Sequence, residues 1–171
     1  VPEQFVHLHV ASGYSLRYGT THPHLLVERA AEFEMDALAL TDRDGVYGAV
    51  RFANACRAAG IRPILGVDLA VCADPQTAAH QEVGREPKRP TPVKGGRTKD
   101  LASPRVTFLA ESKAGWGTLC RLISAAHAKS AAGQPLASPE LVASYLNDAD
   151  VLVMLGPGSD FGWQIARHRD D

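Results

Sequence analysis

Short apolar runs alternate with apolar stripes at helical spacing along the first 71 residues, and this alternation constrains the fold more than any other property of the chain. Residues 5–10 mix ring, branched and imidazole side chains and run into Ser12-Gly13, which predicts a first buried strand. From Pro23 the period changes: Leu25, Leu26, Ala30 and Phe33 mark a helix, with Thr21 or His22 near its cap and Pro23 in its first turn. Residues 36–41 are a second apolar run, broken by Asp42-Arg43-Asp44-Gly45. Val50, Phe52, Ala53, Cys56 and Ala59 then return to helical spacing and stop at Gly60. Residues 61–71 give a third strand, interrupted near Gly66.

Between residues 73 and 104 the periodicity is lost and prolines and glycines accumulate, so this stretch is expected to be a long loop or hairpin insertion. Its cations, Arg85, Lys88, Arg89, Lys94, Arg97 and Lys99, outnumber its acids. They read either as a solvated loop or as an arm that tracks nucleic-acid phosphates. Order resumes with a strand at 106–110, a helix at 114–128 carrying Leu119, Leu122, Ile123 and Ala126 on one face, a short helix at 139–145 and a last strand at 150–155. Strands alternating with helices predict an α/β domain with parallel strands, whose informative residues sit at the carboxyl ends of those strands.

Composition narrows the possibilities. A chain of 171 residues with 45% hydrophobic side chains supports one core. A formal charge of −1 excludes a surface that is basic overall, so any DNA contact has to be local. The three cysteines, Cys56, Cys72 and Cys120, are widely spaced with no C-x-x-C pair, which fits reduced thiols in a cytoplasmic protein. No apolar run of about 18 residues predicts a membrane span, and no secretory leader is evident.

Read in order, the expected strand ends offer His7 and His9, then Asp42, Arg43 and Asp44, then Asp68, then Arg105. Two residues apart on a strand, His7 and His9 project to one face, where they either share a metal ion or bond to nearby backbone. Asp42 suits the capping of loop N–H groups, and Arg43 reads either as a surface guanidinium or as a site residue. His22 and His24 flank Pro23 at a helix start, and His127 near a helix end suits a dipole partner. Trp116 and Trp163 read as core aromatics or as stacking surfaces for a base.

Several of these segments, taken together, resemble the opening of PHP domains. They are His7-Leu-His9-Val-Ala-Ser12, Tyr14-Ser15-Leu16 with Gly19, Leu38-Ala-Leu-Thr41-Asp42, and Gly60-Ile-Arg-Pro63-Ile-Leu-Gly66-Val-Asp68. Residues 106–110 with Gly115-Trp116 and the stretch 119–127 are similar to alpha subunits of bacterial DNA polymerase III rather than to stand-alone PHP phosphatases. The likeness covers residues 5–71 and 105–128; the variants Leu16-Arg17-Tyr18-Gly19 and Thr41-Asp42-Arg43-Asp44 look closer to a damage-tolerant, error-prone copy of the subunit.

The resemblance implies a partial PHP-type distorted β/α barrel, similar to a TIM barrel, with parallel strands and a long loop insertion. Residues 1–171 would form its N-terminal part, divided into a core motif region at 5–71, the insertion at 73–104 and further strand–helix units at 105–155. It also implies a cluster of zinc or manganese ions in related proteins. Carried over, His7, His9 and Asp68 match or stand at ligand positions, whereas Tyr18, Arg43 and Arg105 fall where ligands are expected. An arginine has only donors and stays protonated, so it cannot ligate a metal. Arg43 and Arg105 are therefore expected to meet carboxylates such as Asp68 and Asp42 in a degenerate site that holds metal weakly or not at all. The implied function is the PHP domain of a C-family polymerase in replication or translesion synthesis, with the palm and thumb of the same chain as partners, DNA contacted through the whole protein and no membrane. The alternatives are an active metal-dependent 3′–5′ exonuclease or pyrophosphatase, and a free-standing PHP phosphatase.

Overall fold

The computed structural model describes residues 5–72, 103–129 and 135–167. Its elements in chain order are α1 (Pro23–Glu32), β1 (Ala37–Leu40), α2 (Ala49–Ala59), β2 (Arg62–Ala70), β3 (Arg105–Ala110), α3 (Lys113–Lys129), α4 (Pro139–Leu146), β4 (Val151–Met154) and α5 (Asp160–Arg167). The basic residues Arg85, Lys88, Arg89, Lys94, Arg97 and Lys99 lie outside the described residues.

Local chemistry accounts for the element ends. Pro23, which has no N–H to satisfy, opens α1, and Ser138 caps α4 by accepting from the Leu141 N–H at 3.2 Å. α2 stops at Gly60, whose φ of 73° lies in the left-handed region and lets the Ile61 N–H return to the Cys56 carbonyl. α5 was not foreseen; the Ser159 hydroxyl caps it, accepting from Gly162 N–H at 3.0 Å.

The sheet order is β1-β2-β3-β4. β1 and β2 are parallel, joined by the single helix α2, and Ala37 faces Arg62. The expectation of parallel strands fails beyond this pair. β3 runs antiparallel to β2, with Ala70 opposite Arg105, and β4 runs antiparallel to β3, with Ala110 opposite Val151. The reasons are topological. The chain rejoins the sheet beside the end of β2 that it left, and after β3 it runs through α3, packed on the sheet, and α4, packed on α3, to re-enter at β4 with Val151 opposite Ala110, the end from which it departed.

The first expected strand is also modified. Residues 5–10 lie extended along β1, where the His7 carbonyl accepts from Ala39 N–H and the Val10 carbonyl from Thr41 N–H. Three residues on one side thus span two on the other, and the Thr41 hydroxyl bonds the Val10 N–H at 3.0 Å in place of a backbone partner. A ladder interrupted in this way is an extended segment, not a regular strand.

Two apolar clusters hold the elements. Val67, Leu69, Val106 and Phe108 of β2 and β3 pack with Leu119, Leu122, Ile123 and Ala126 of α3 and Leu141 of α4. Leu38 and Leu40 of β1 pack with Val27, Ala30, Phe52 and Cys56 of α1 and α2. Full burial of side chains of this size contributes about 1.5–3 kcal/mol each.

Candidate functional site

The antiparallel return of β3 creates the site. Because Arg105 begins β3 opposite Ala70, its side chain is delivered to the end of β2 where Asp68 lies and where the loop after β1 carries Asp42, Arg43 and Asp44. A bridge between Arg43 and Asp68 continues the parallel pairing past β1: Asp68 N–H donates to the Asp42 carbonyl at 3.1 Å and Asp44 N–H to the Asp68 carbonyl at 2.9 Å. Asp44 reaches this position with a φ of 58°, a left-handed conformation that Asp tolerates better than most residues.

Asp68 is 4% exposed and is the hub. Its Oδ2 accepts from Arg105 Nε at 2.8 Å and from Arg43 Nε at 3.2 Å, and His9 Nε2 stands 3.9 Å away. Arg105 also donates from Nη2 to Asp44 Oδ1 at 2.8 Å and to the Asp68 carbonyl. Its guanidinium therefore joins β2, β3 and the loop after β1. Burial opposes the Arg105 charge, but Asp68 and Asp44 outweigh it, and its pKa is raised above the ordinary arginine value. Arg43 lies over the Tyr18 ring, 3.4 Å from the centroid, a close cation–π contact.

Asp42 differs from the expectation that it would meet the arginines. Almost fully buried, it accepts from Ser12 N–H at 2.7 Å, from the Ser12 hydroxyl at 2.9 Å and from the Ser15 hydroxyl at 2.7 Å. The Ser15 oxygen in turn accepts from Arg43 N–H at 2.9 Å. Asp42 thus stitches the Ser12–Ser15 turn to the end of β1, and Asp44 is the second carboxylate that Arg105 takes. No side chain fits at Gly48, where a Cβ would lie 2.8 Å from Asp42 Oδ2.

The two strand histidines are exposed and separate in what they touch. His9 approaches Asp68, while His7 sets its ring edge-on to Phe5 with centroids 4.8 Å apart. His22 and His24 stack on each other at the start of α1, 5.9 Å apart. Trp116 and Trp163 are half-buried. His127, expected only as a helix-end cation, reaches across to the site and bonds the Asp44 carbonyl through Nε2 at 2.7 Å. The 83-residue separation of that pair left no signal in the sequence. The roles of Ser12 and Ser15 were equally hidden, because a serine in a turn is too common to mark.

Among the described residues no three His, Cys, Asp or Glu side chains converge as a metal-binding group. The donor set explains this. The buried oxygen that would anchor an ion, Asp68 Oδ2, already carries two guanidinium groups. Like unit charges about 4 Å apart repel by roughly 4 kcal/mol near a protein surface, and a divalent ion doubles that for each arginine. The residues present do not fit a divalent metal.

The error-prone DNA polymerase of Mycobacterium tuberculosis (strain ATCC 25618 / H37Rv) is 37% identical over 123 residues, 72% of this chain and 10% of that protein. The DNA polymerase III subunit alpha of Buchnera aphidicola subsp. Schizaphis graminum is 45% identical over 65 residues, 38% of this chain and 6% of that protein. The chain therefore spans about a tenth or less of the length of these relatives. An amidohydrolase from Chromobacterium violaceum, solved with bound sulfate and no metal, superposes with a TM-score of 0.46 at 23% identity, over 72% of this chain and 33% of that one. Residues 7–162 match the PHP domain family, and this chain belongs to it.

Proposed function

We propose that this chain is the PHP domain of an error-prone, C-family DNA polymerase, and that it acts there as a structural scaffold and not as a phosphoesterase. The observation that carries the scaffold reading is the double engagement of Asp68 by Arg43 and Arg105, which consumes the carboxylate that metal-assisted hydrolysis needs. The polymerase reading is supported by identity to error-prone polymerases over 72% of the chain. In this reading the palm and thumb of the polymerase dock on the domain, nucleotidyl transfer takes place on them, and DNA is met through the whole protein in the cytoplasm. The described residues contain no helix long and apolar enough to cross a membrane.

A second reading, an active 3′–5′ exonuclease or pyrophosphatase, has one observation in its favour: exposed His9 stands beside Asp68. A manganese-supplemented assay on a 3′-labelled single-stranded oligonucleotide and on pyrophosphate, run on the chain and on His9→Ala, separates the two. The scaffold reading expects no turnover above the His9→Ala background. Turnover that disappears in His9→Ala establishes the hydrolase instead.

A further inference from the structure

We infer that Arg43 and Arg105 replace a divalent ion as the cross-link of this site, so that the chain supplies its own cations where the family fold would take metal. The inference rests on the scaffold reading of the site but not on the polymerase assignment. Its basis is the connectivity. A metal in such a site gathers side chains from separate strand ends around one positive centre. Here Arg105 does this from β3, holding Asp68 of β2 and Asp44 of the loop after β1 through different nitrogens of one planar group. Arg43 brings a second cation from that loop to the same Asp68 oxygen and is itself stacked on Tyr18.

The electrostatic count closes without an ion. Two guanidinium groups face two carboxylates, all four side chains being at most 30% exposed. Such pairing in a shielded position neutralises the acids as a metal would, with the forked geometry that lysine lacks. A further divalent cation finds no uncommitted buried carboxylate here: Asp42 is held by Ser12 and Ser15, and Asp68 and Asp44 are held by arginine. Exposed His9 lies next to Asp68 and becomes available as a ligand only if the guanidinium groups are removed.

The test uses the chain as purified, with elemental analysis and thermal unfolding in EDTA or in added zinc or manganese. The wild type is expected to carry well under 0.1 equivalents of metal and to melt at the same temperature in all three conditions. About one equivalent of zinc or manganese that is lost in His9→Ala, or a melting temperature lowered several degrees by EDTA, overturns the inference. A second arm compares Asp68→Ala, Arg105→Ala and the double variant. The cross-link predicts that the double variant loses less than the sum of the two single losses, because the Asp68–Arg105 bond is shared between them, whereas additive losses overturn it. In a third arm, R43H/R105H that retains the wild-type circular dichroism is expected to gain a zinc-dependent rise in melting temperature, removed again by His9→Ala. A folded R43H/R105H that ignores zinc contradicts the equivalence of guanidinium pair and ion. These readouts are independent of nuclease turnover and of polymerase context, so failure here is distinguishable from failure of the proposed function.

Discussion

Asp68 and Arg105 form a buried pair in which removal of either partner leaves the other with a single remaining counter-charge, Arg43 for Asp68 and Asp44 for Arg105. Breaking a buried ion pair from one side costs about 3–5 kcal/mol, much of it the penalty of the orphaned group. Because Arg43 stays on Asp68, Arg105→Ala is expected to lower unfolding free energy by no more than that in urea titrations, and Arg43→Ala by less, because its bond to Asp68 is longer, at 3.2 Å against 2.8 Å. Cys56 offers a separate check on the core between α1, α2 and β1. Burial raises its thiol from 9.0 to about 11. The folded state then keeps a proton that the unfolded state releases, so the contribution of this thiol is flat below pH 9 and falls as the pH rises from about 9 to about 11. Melting temperatures of wild type and Cys56→Ala across that window should show the alkaline loss blunted in the variant. The residue chemistry at the site was partly legible. An arginine can announce that it is no ligand from sequence alone, and Asp68 was marked by its place in the third strand. That Asp44 rather than Asp42 completes the cluster was not legible, since it depends on a left-handed turn and on two serine hydroxyls that claim Asp42 first.

Among the elements, those with a buried face and a clear period were readable: α1, α2, α3, β1 and β2 fall where the apolar spacing puts them. Strand direction was not. Alternation of apolar side chains is the same in parallel and antiparallel ladders, so nothing in residues 105–110 distinguishes the two. α5 escaped because it is a short helix of 8 residues that follows Gly156-Pro157-Gly158 and carries Gly162 in its interior, a composition that reads as a loop. The junction of α3 with β4 depends on close approach. A Cβ on Gly115 would lie 2.0 Å from the Asp150 carbonyl, whose oxygen also accepts from Glu111 N–H. Gly115→Ala is expected to force these segments apart and cost about 1–3 kcal/mol, typical of overpacking. Differential scanning calorimetry would read this as a lower melting temperature, and an unchanged one would mean that the junction yields easily.

At the scale of the molecule, β4 is the thinly covered side of the sheet. Leu152 and Val153 project to opposite faces, yet they are 44% and 45% exposed, and Leu155 beyond them is 56% exposed. An edge with apolar faces on both sides favours pairing with a second copy. Sedimentation at increasing concentration is expected to show self-association, reduced in Leu152→Lys; a monomer at all concentrations would mean that this edge is protected. The arginine cluster acts at the same scale but with a different dependence. Stabilisation by a bound ion grows with the logarithm of free ion concentration and vanishes when the ion is scarce. A cation carried on β3 has no such term, since Arg105 is already attached to the chain it secures. If the guanidinium pair replaces the ion as inferred above, assembly at this site is unimolecular: each newly made copy arrives loaded, and starvation for transition metals is expected to leave it equally well assembled.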